Sequence, residues 1–410
     1  MVKKQYEWAK DAKLEDHTKC KHDILRDYFS QYLTIRCQLP QQERFRLAVI
    51  DGFAGGGRYE CGNAGSPIIF IEEIRNTIKA INLQRVVQGL GTIQIECFFI
   101  FNDATAGVIE ILKSNAAPLL AEIKESIQEL HIRVEYMSEP FEVAYPTIKR
   151  LLLNGRFRNV IFNLDQSGHQ GVERKTLLDI MQSNISVEIF YTFAISSLLA
   201  FLQKSDPDKL AIQLAPIGLD STAMQSLEGA MNSKAFLGKA ERLVFEEFKN
   251  CAPFVSPFSI NNPSGWRYWL IHFSNFYRAR QVYNDILHQN SSTQAHFGRS
   301  GLNMLAYNPE IDDGNLYLFD VSGRSAAKIE LLEDIPRLVS ESGDVIGVGE
   351  FYESIYNMTP AHKDDIHSAM IENPDIAVIT QAGGERRKAN TIGISDLIKL
   401  RRQISFFPMF

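Results

Sequence analysis

Four short stretches carry the residues best suited to chemistry, and each closes an apolar run. The strongest is Val49-Ile50-Asp51-Gly52-Phe53-Ala54-Gly55-Gly56-Gly57. An acid followed by a glycine-rich turn lets the backbone approach a ligand without side-chain obstruction. A helix directly after such a turn points its free N–H groups at that ligand. The spacing is not the dinucleotide fingerprint GxGxxG, because the residue three beyond Gly57 is Glu60. The second stretch is Phe101-Asn102-Asp103, in which Asp103 either accepts the hydroxyls of a ribose or caps the helix that follows. It lies 46 residues beyond Gly57, further than the about 20 residues of a tight nucleotide-binding unit. An insertion over 58–64 and a long 79–92 segment account for the distance. The third, Ser138-Glu139, stands either in a ligand site or in a solvated loop. The fourth is Asn163-Leu164-Asp165-Gln166-Ser167-Gly168-His169. There Asp165 places a carboxylate at the end of the fourth apolar run. His169 is either a general base, with an ordinary pKa near ~6.5, or a solvated loop residue.

Positioning these groups takes alternating strands and helices. Residues 1–36 read as helix, with Ile24, Leu25, Tyr28, Phe29, Tyr32 and Leu33 forming one apolar stripe. Phe45–Ile50 reads as a buried strand, and a helix begins near Ser66-Pro67, with Ser66 as N-cap and Pro67 at the first helical position. Further strands are expected at Ile93–Phe101, Ile132–Tyr136, Asn159–Leu164 and Val187–Ala194. Helices are expected over Ala106–Leu130, interrupted near Pro118, and over Arg174–Gln182. Such alternation predicts an α/β fold with a mostly parallel sheet, whose ligands bind at the carboxyl ends of the strands. All four stretches fall at those ends.

The later chain changes character. About 205–250 reads as a helical cover, Trp266–Phe273 as a core strand followed by a helix through Ile286, and 288–315 as a polar loop or linker. Short strands near Leu316–Val321, a helix over Lys363–Ile371, a strand at Ile376–Thr380 and a basic hairpin after Gly383-Gly384 come next. A final helix is expected from Ser395-Asp396. The predicted domains are 1–290 and 316–410, the second a small winged-helix-like α+β module.

Composition narrows the class. The 410 residues are 45% apolar and 22% charged, which excludes a disordered or fibrous chain. A net charge of -6 argues against a general basic coat for nucleic acid. Yet 383–402 holds six basic and two acidic residues, a local +4 that either contacts phosphates or forms a solvated hairpin. Cys20, Cys37, Cys61, Cys97 and Cys251 are odd in number, scattered and without a CxxC pair, the usage of a reduced cytoplasm. The polar first residues do not read as a signal peptide, and no apolar run reaches the ~18 residues of a membrane span. Cytoplasmic placement without a membrane is therefore expected.

The Asp51-x-Phe53-x-Gly55-x-Gly57 pattern resembles the first motif of class I S-adenosylmethionine-dependent methyltransferases, especially those acting on amino groups and C5 of nucleobases. The resemblance implies a Rossmann-like class I methyltransferase sheet with helices on both faces. It puts Asp51, Gly52, Phe53, Ala54, Gly55 and Gly57 around the methionine part of S-adenosylmethionine and Asp103 on the ribose. Ser138 and Glu139 would then stand near the adenine, and Asp165 would face the acceptor. The basic hairpin makes nucleic acid the first acceptor to consider. More widely, Lys21-His22-Asp23-Ile24-Leu25, Gly65-Ser66-Pro67, Leu164–Val172, Tyr268–Ser274 and Ile394–Ile398 are similar to the three-Cys-motif partner proteins. These are bacterial and phage-associated, regarded as methyltransferase-like, and named for a neighbouring three-cysteine protein. That neighbour is the protein partner the resemblance implies. The family's fourth-strand motif reads Asp-Pro-Phe-Gly, and here Gln166 and Ser167 replace Pro and Phe. The alternative to methyl transfer is a binding module that keeps the cofactor fold and serves as an adaptor for a protein or nucleic acid.

Overall fold

Leu47, Ala48, Val49 and Ile50 are wholly buried in β1 (Arg44–Asp51), a strand covered on both faces and hence a continuous apolar run. The computed structural model describes residues 8, 12–166, 171–183, 186–195, 214–219, 243–261, 267–290, 294–297, 301–302 and 316–401. The chain divides into two compact units, Met1–Val282 and Tyr283–Phe410.

In the first unit the expected alternation is present. β1 leads to α2 (Ser66–Val87), then β2 (Gln94–Asn102), α3 (Ala106–Ser126), β3 (Leu130–Met137) and α4 (Phe141–Gly155). β4 (Asn159–Leu164), α5 (Arg174–Ser183) and β5 (Ser186–Phe193) follow. With β6 (Phe254–Asn261) and β7 (Arg267–Ser274) the strands of this unit lie in the order β3-β2-β1-β4-β5-β7-β6. Pairs among the first five are parallel, while β7 runs antiparallel to both β5 and β6. The sheet is therefore mostly parallel and Rossmann-like. Its order turns back at β1, so right-handed crossovers put α2 and α3 on one face and α4 and α5 on the other. The topological switch point lies between β1 and β4, where such folds bind ligands.

α1 (Asp16–Arg36) buries the predicted stripe against α2, with Phe29 and Phe70 edge to face at 5.0 Å. It is shorter than expected, since residues 12–15 are not helical. Its Tyr28 hydroxyl donates to the buried Glu188 of β5 at 2.6 Å. Two further expectations are corrected. Gly65, not Ser66, is the N-cap of α2, and the Ser66 hydroxyl turns to Asp51 instead. Pro118 does not interrupt α3, which runs unbroken through it. A proline removes one N–H donor there, and the buried Leu112, Ala116, Leu119 and Ile123 hold the helix on the sheet regardless.

Of the expected cover over 205–250, a 3₁₀ turn (Ala215–Ile217) and a helix at 243–249 are described. Residues 205–213 and 220–242 lie outside the described residues, as do Trp266 and the 303–315 part of the expected linker. The division between units falls within α6 (Tyr277–Gln289).

In the second unit β8 (Gln294–Phe297) and β9 (Leu316–Leu318) pair antiparallel. The sequence reading leaves 322–341 unassigned, but it is α7 (Val321–Glu341), capped by Asp320 and burying Ala327, Leu331, Ile335 and Val339. β10 (Val345–Gly347), α8 (Val348–Ile355), α9 (Lys363–Glu372) and β11 (Ile376–Ile379) follow. The final helix expected from Ser395 is instead β12 (Leu397–Leu400), antiparallel between β10 and β11. Four residues with one fully buried side chain, Ile398, have too short a period to tell helix from strand.

Candidate functional site

The turn after β1 is sewn to both neighbouring strands. Gly52 N–H donates to Asn163 O at 2.9 Å, and Ala54 N–H donates to Asn102 O at 2.8 Å. Gly55 and Gly57 have φ of +61° and +82°, the left-handed region that favours glycine. Asp51 does not face outward. It is fully buried and accepts from Phe53 N–H at 3.3 Å, from Asn163 Nδ2 at 3.2 Å and from the Ser66 hydroxyl. Burial pushes its carboxyl up to about 7, against those three hydrogen bonds. Its hydrogen bonds tie the turn to β4 and to the start of α2.

Asp103, just beyond β2, is half-buried. It accepts from Gly55 N–H at 3.2 Å and from Thr105 N–H at 2.9 Å, so one carboxylate ties the glycine turn to the start of α3. Burial raises its pKa. Ser138 and Glu139 are exposed beyond β3. Sequence reasoning passed over their neighbour Asn102. It is fully buried, with Nδ2 donating to Gly52 O at 3.1 Å and Glu139 O at 2.9 Å. Its Oδ1 accepts from Glu139 N–H at 3.3 Å. An asparagine at a strand end beside a glycine turn was the available signal.

The surface of the turn itself is covered. A Cβ built on Gly55 would lie 2.3 Å from Trp8 Cζ2, and one on Gly56 would lie 2.9 Å from Trp8 Cε3. The indole therefore lies directly on the backbone that a ligand would approach. The donor set suits a nucleoside, with Asp103 beside the turn, but the turn as described does not admit one. An indole and a methionine chain cannot share that space.

At the end of β4 the charges are arranged differently. Lys21 of α1 reaches Asp165 with Nζ 2.5 and 2.7 Å from its two carboxylate oxygens. Burial would raise the Asp165 pKa, but the Lys21 charge and hydrogen bonds outweigh it and hold the carboxyl below its usual range. Lys21, His22, Ser66, Asn163, Asp165 and Thr192 line a small recess here. Burial pushes His22 down to about 4, so it is neutral at pH 7, and among the described residues its Nδ1 has no hydrogen-bond partner. Gln166 is buried, with Nε2 donating to the Tyr191 hydroxyl at 2.6 Å. Its Oε1 accepts from Gly171 N–H at 2.6 Å and Val172 N–H at 3.2 Å. Gln166 thus ties the end of β4 to the backbone at 171–172. Ser167, Gly168 and His169 lie outside the described residues.

The basic hairpin of the second unit is partly neutralised from within. Arg386 is bidentate to Asp396 at 2.9 and 3.1 Å, and Arg401 pairs with Glu385. Arg387, Lys388 and Lys399 are exposed, and Arg402 lies outside the described residues. Among the described residues no helix is long and apolar enough to cross a membrane. Compared with known proteins, the chain matches no family model and no curated protein.

Proposed function

We propose that this chain is a methyltransferase-like protein that binds S-adenosylmethionine at the carboxyl ends of β1 and β2. The observation that carries the reading is the left-handed glycine turn after β1, beside the topological switch point, held against Asp103 at the end of β2. A nicotinamide cofactor is disfavoured by the missing fingerprint. It is also disfavoured by the reversed β7 between β5 and β6, which the dinucleotide order 3-2-1-4-5-6 lacks. The reversed strand supports the finer description of a class I methyltransferase sheet. The second unit, with α7 to α9 and the β10-β12-β11 sheet, is read as a winged-helix-like module whose hairpin offers Arg387 and Lys388 to nucleic acid. Similarity to the three-Cys-motif partner proteins fits both features. Titration calorimetry with S-adenosylmethionine tests the reading. Binding weakened by Asp103→Ala supports it, and no binding at millimolar ligand by the wild type and by Trp8→Ala alike rejects it.

One observation favours the non-catalytic adaptor as a second reading: Lys21 occupies both oxygens of Asp165. A carboxylate engaged in this way is less able to orient an incoming amine. A labelled-methyl assay over DNA, RNA and protein acceptors separates the two. Ligand binding without transfer supports the adaptor, and robust transfer removes it.

A further inference from the structure

The glycine turn has an occupant supplied by the chain itself. Trp8 lies across Gly55 and Gly56, and its ring centroid is 5.1 Å from that of Tyr59 at an interplanar angle of 46°. Tyr59 is buried and belongs to the 58–64 insertion, a small hairpin closed by the Arg58–Ala64 bridge. Its Tyr59 N–H donates to Asn63 O at 3.0 Å, and Gly62 N–H donates to Tyr59 O at 2.8 Å. The next residue, Glu60, donates its N–H to the carbonyl of the buried Ala12 at 3.0 Å. The insertion therefore anchors the chain at Ala12 and supplies the aromatic neighbour beside which the indole rests. It lengthens the unit between the turn and Asp103, and its place in the fold is a seat for Trp8.

We propose that Trp8 is a built-in competitor for the glycine turn, and that a ligand of this site must expel the indole before it can bind. The inference rests on the S-adenosylmethionine reading and deepens it by naming the step that limits access. An intramolecular occupant on a short tether acts at an effective concentration of roughly millimolar, so it competes without being tightly bound. If the turn is uncovered only a fraction of the time, apparent affinity falls by that fraction. Shortening the side chain restores it. The indole is also a flat aromatic on a flat backbone surface, which removes apolar area from water when no ligand is present.

The test compares the wild type with Trp8→Ala and Trp8→Phe by calorimetry, using S-adenosylmethionine and S-adenosylhomocysteine. Trp8→Ala is expected to bind about tenfold tighter or more, with Trp8→Phe between it and the wild type. In the wild type, the emission assigned to Trp8 by difference from Trp8→Phe shifts to the red as ligand is added. Thermal melts establish that the variants fold. Equal or weaker binding by Trp8→Ala in a folded protein overturns the competitor and leaves the S-adenosylmethionine reading standing. Ligand binding without any change in Trp8 emission overturns it as well. No binding by any of the three proteins at millimolar ligand rejects the cofactor reading and the competitor with it.

Discussion

Lys21 Nζ lies 2.5 and 2.7 Å from the two carboxylate oxygens of Asp165, joining α1 to the end of β4 across 144 residues of sequence. The Lys21 side chain is 9% exposed and that of Asp165 is 25%. Removing one partner of a fully buried pair costs about 3–5 kcal/mol, because the other charge is left without compensation. With Asp165 still partly in water, Lys21→Met is expected to cost about 2–3 kcal/mol at pH 7. Asp165 has a lowered folded pKa. The stability it contributes is present above the unfolded carboxylate value of about 3.9 and is lost as pH falls through the lower folded value. Urea midpoints of wild type and variant should therefore converge below about pH 4. A gap that is constant from pH 3 to about 7 counts against the pair.

Asp51 gives the opposite sign. Its folded pKa is raised to about 7, chiefly by burial, with Asp165 adding to the rise. Its contribution is complete below about pH 3.9, declines as pH rises, and is gone once pH passes the folded value. The slope can reach about 1.4 kcal/mol per pH unit, one proton's worth. Asp51→Asn removes that term, so its stability relative to wild type should climb from pH 4 to about 7 and then level off. Equilibrium unfolding at four pH values measures this, and parallel curves contradict it.

Asn102 should matter more than its size suggests. From a fully buried position its amide serves Gly52 O and Glu139 O, and its oxygen serves Glu139 N–H. Asn102→Leu leaves those backbone groups unsatisfied and is expected to cost about 2–3 kcal/mol. Hydrogen exchange should quicken around Gly52 and Glu139 together. Faster exchange at only one of the two loops would mean that the side chain does not link them.

The hairpin of the second unit separates its arginines by role. Arg386 is committed to Asp396, whereas Arg387 and Lys388 are exposed. For nucleic-acid binding, each lost phosphate contact lowers the slope of log affinity against log salt by about 0.9. Arg387→Gln with Lys388→Gln should flatten the slope by about 2, read by anisotropy of a labelled oligonucleotide. An unchanged slope removes the hairpin from the interface.

Much of the first unit was legible in the sequence, for a local reason. Buried strands such as Phe45–Ile50 appear as apolar runs, and the α1 stripe appears at three- and four-residue spacing. Short apolar runs bounded by turn residues and the 3.6 period therefore report element type directly. The acid and glycines at 51–57 were also readable, since left-handed backbone calls for glycine wherever it occurs. Strand direction has no such signature, which is why the reversal of β7 emerged only in the sheet. Elements of three or four residues, such as β12, lie below the length at which period decides. The site depended most on the tertiary structure. That Lys21 meets Asp165, that Asn102 bridges two loops and that Trp8 covers Gly55 are relations between residues 37 to 144 positions apart. Packing of whole elements sets those distances, and no local pattern encodes which side chains it brings together.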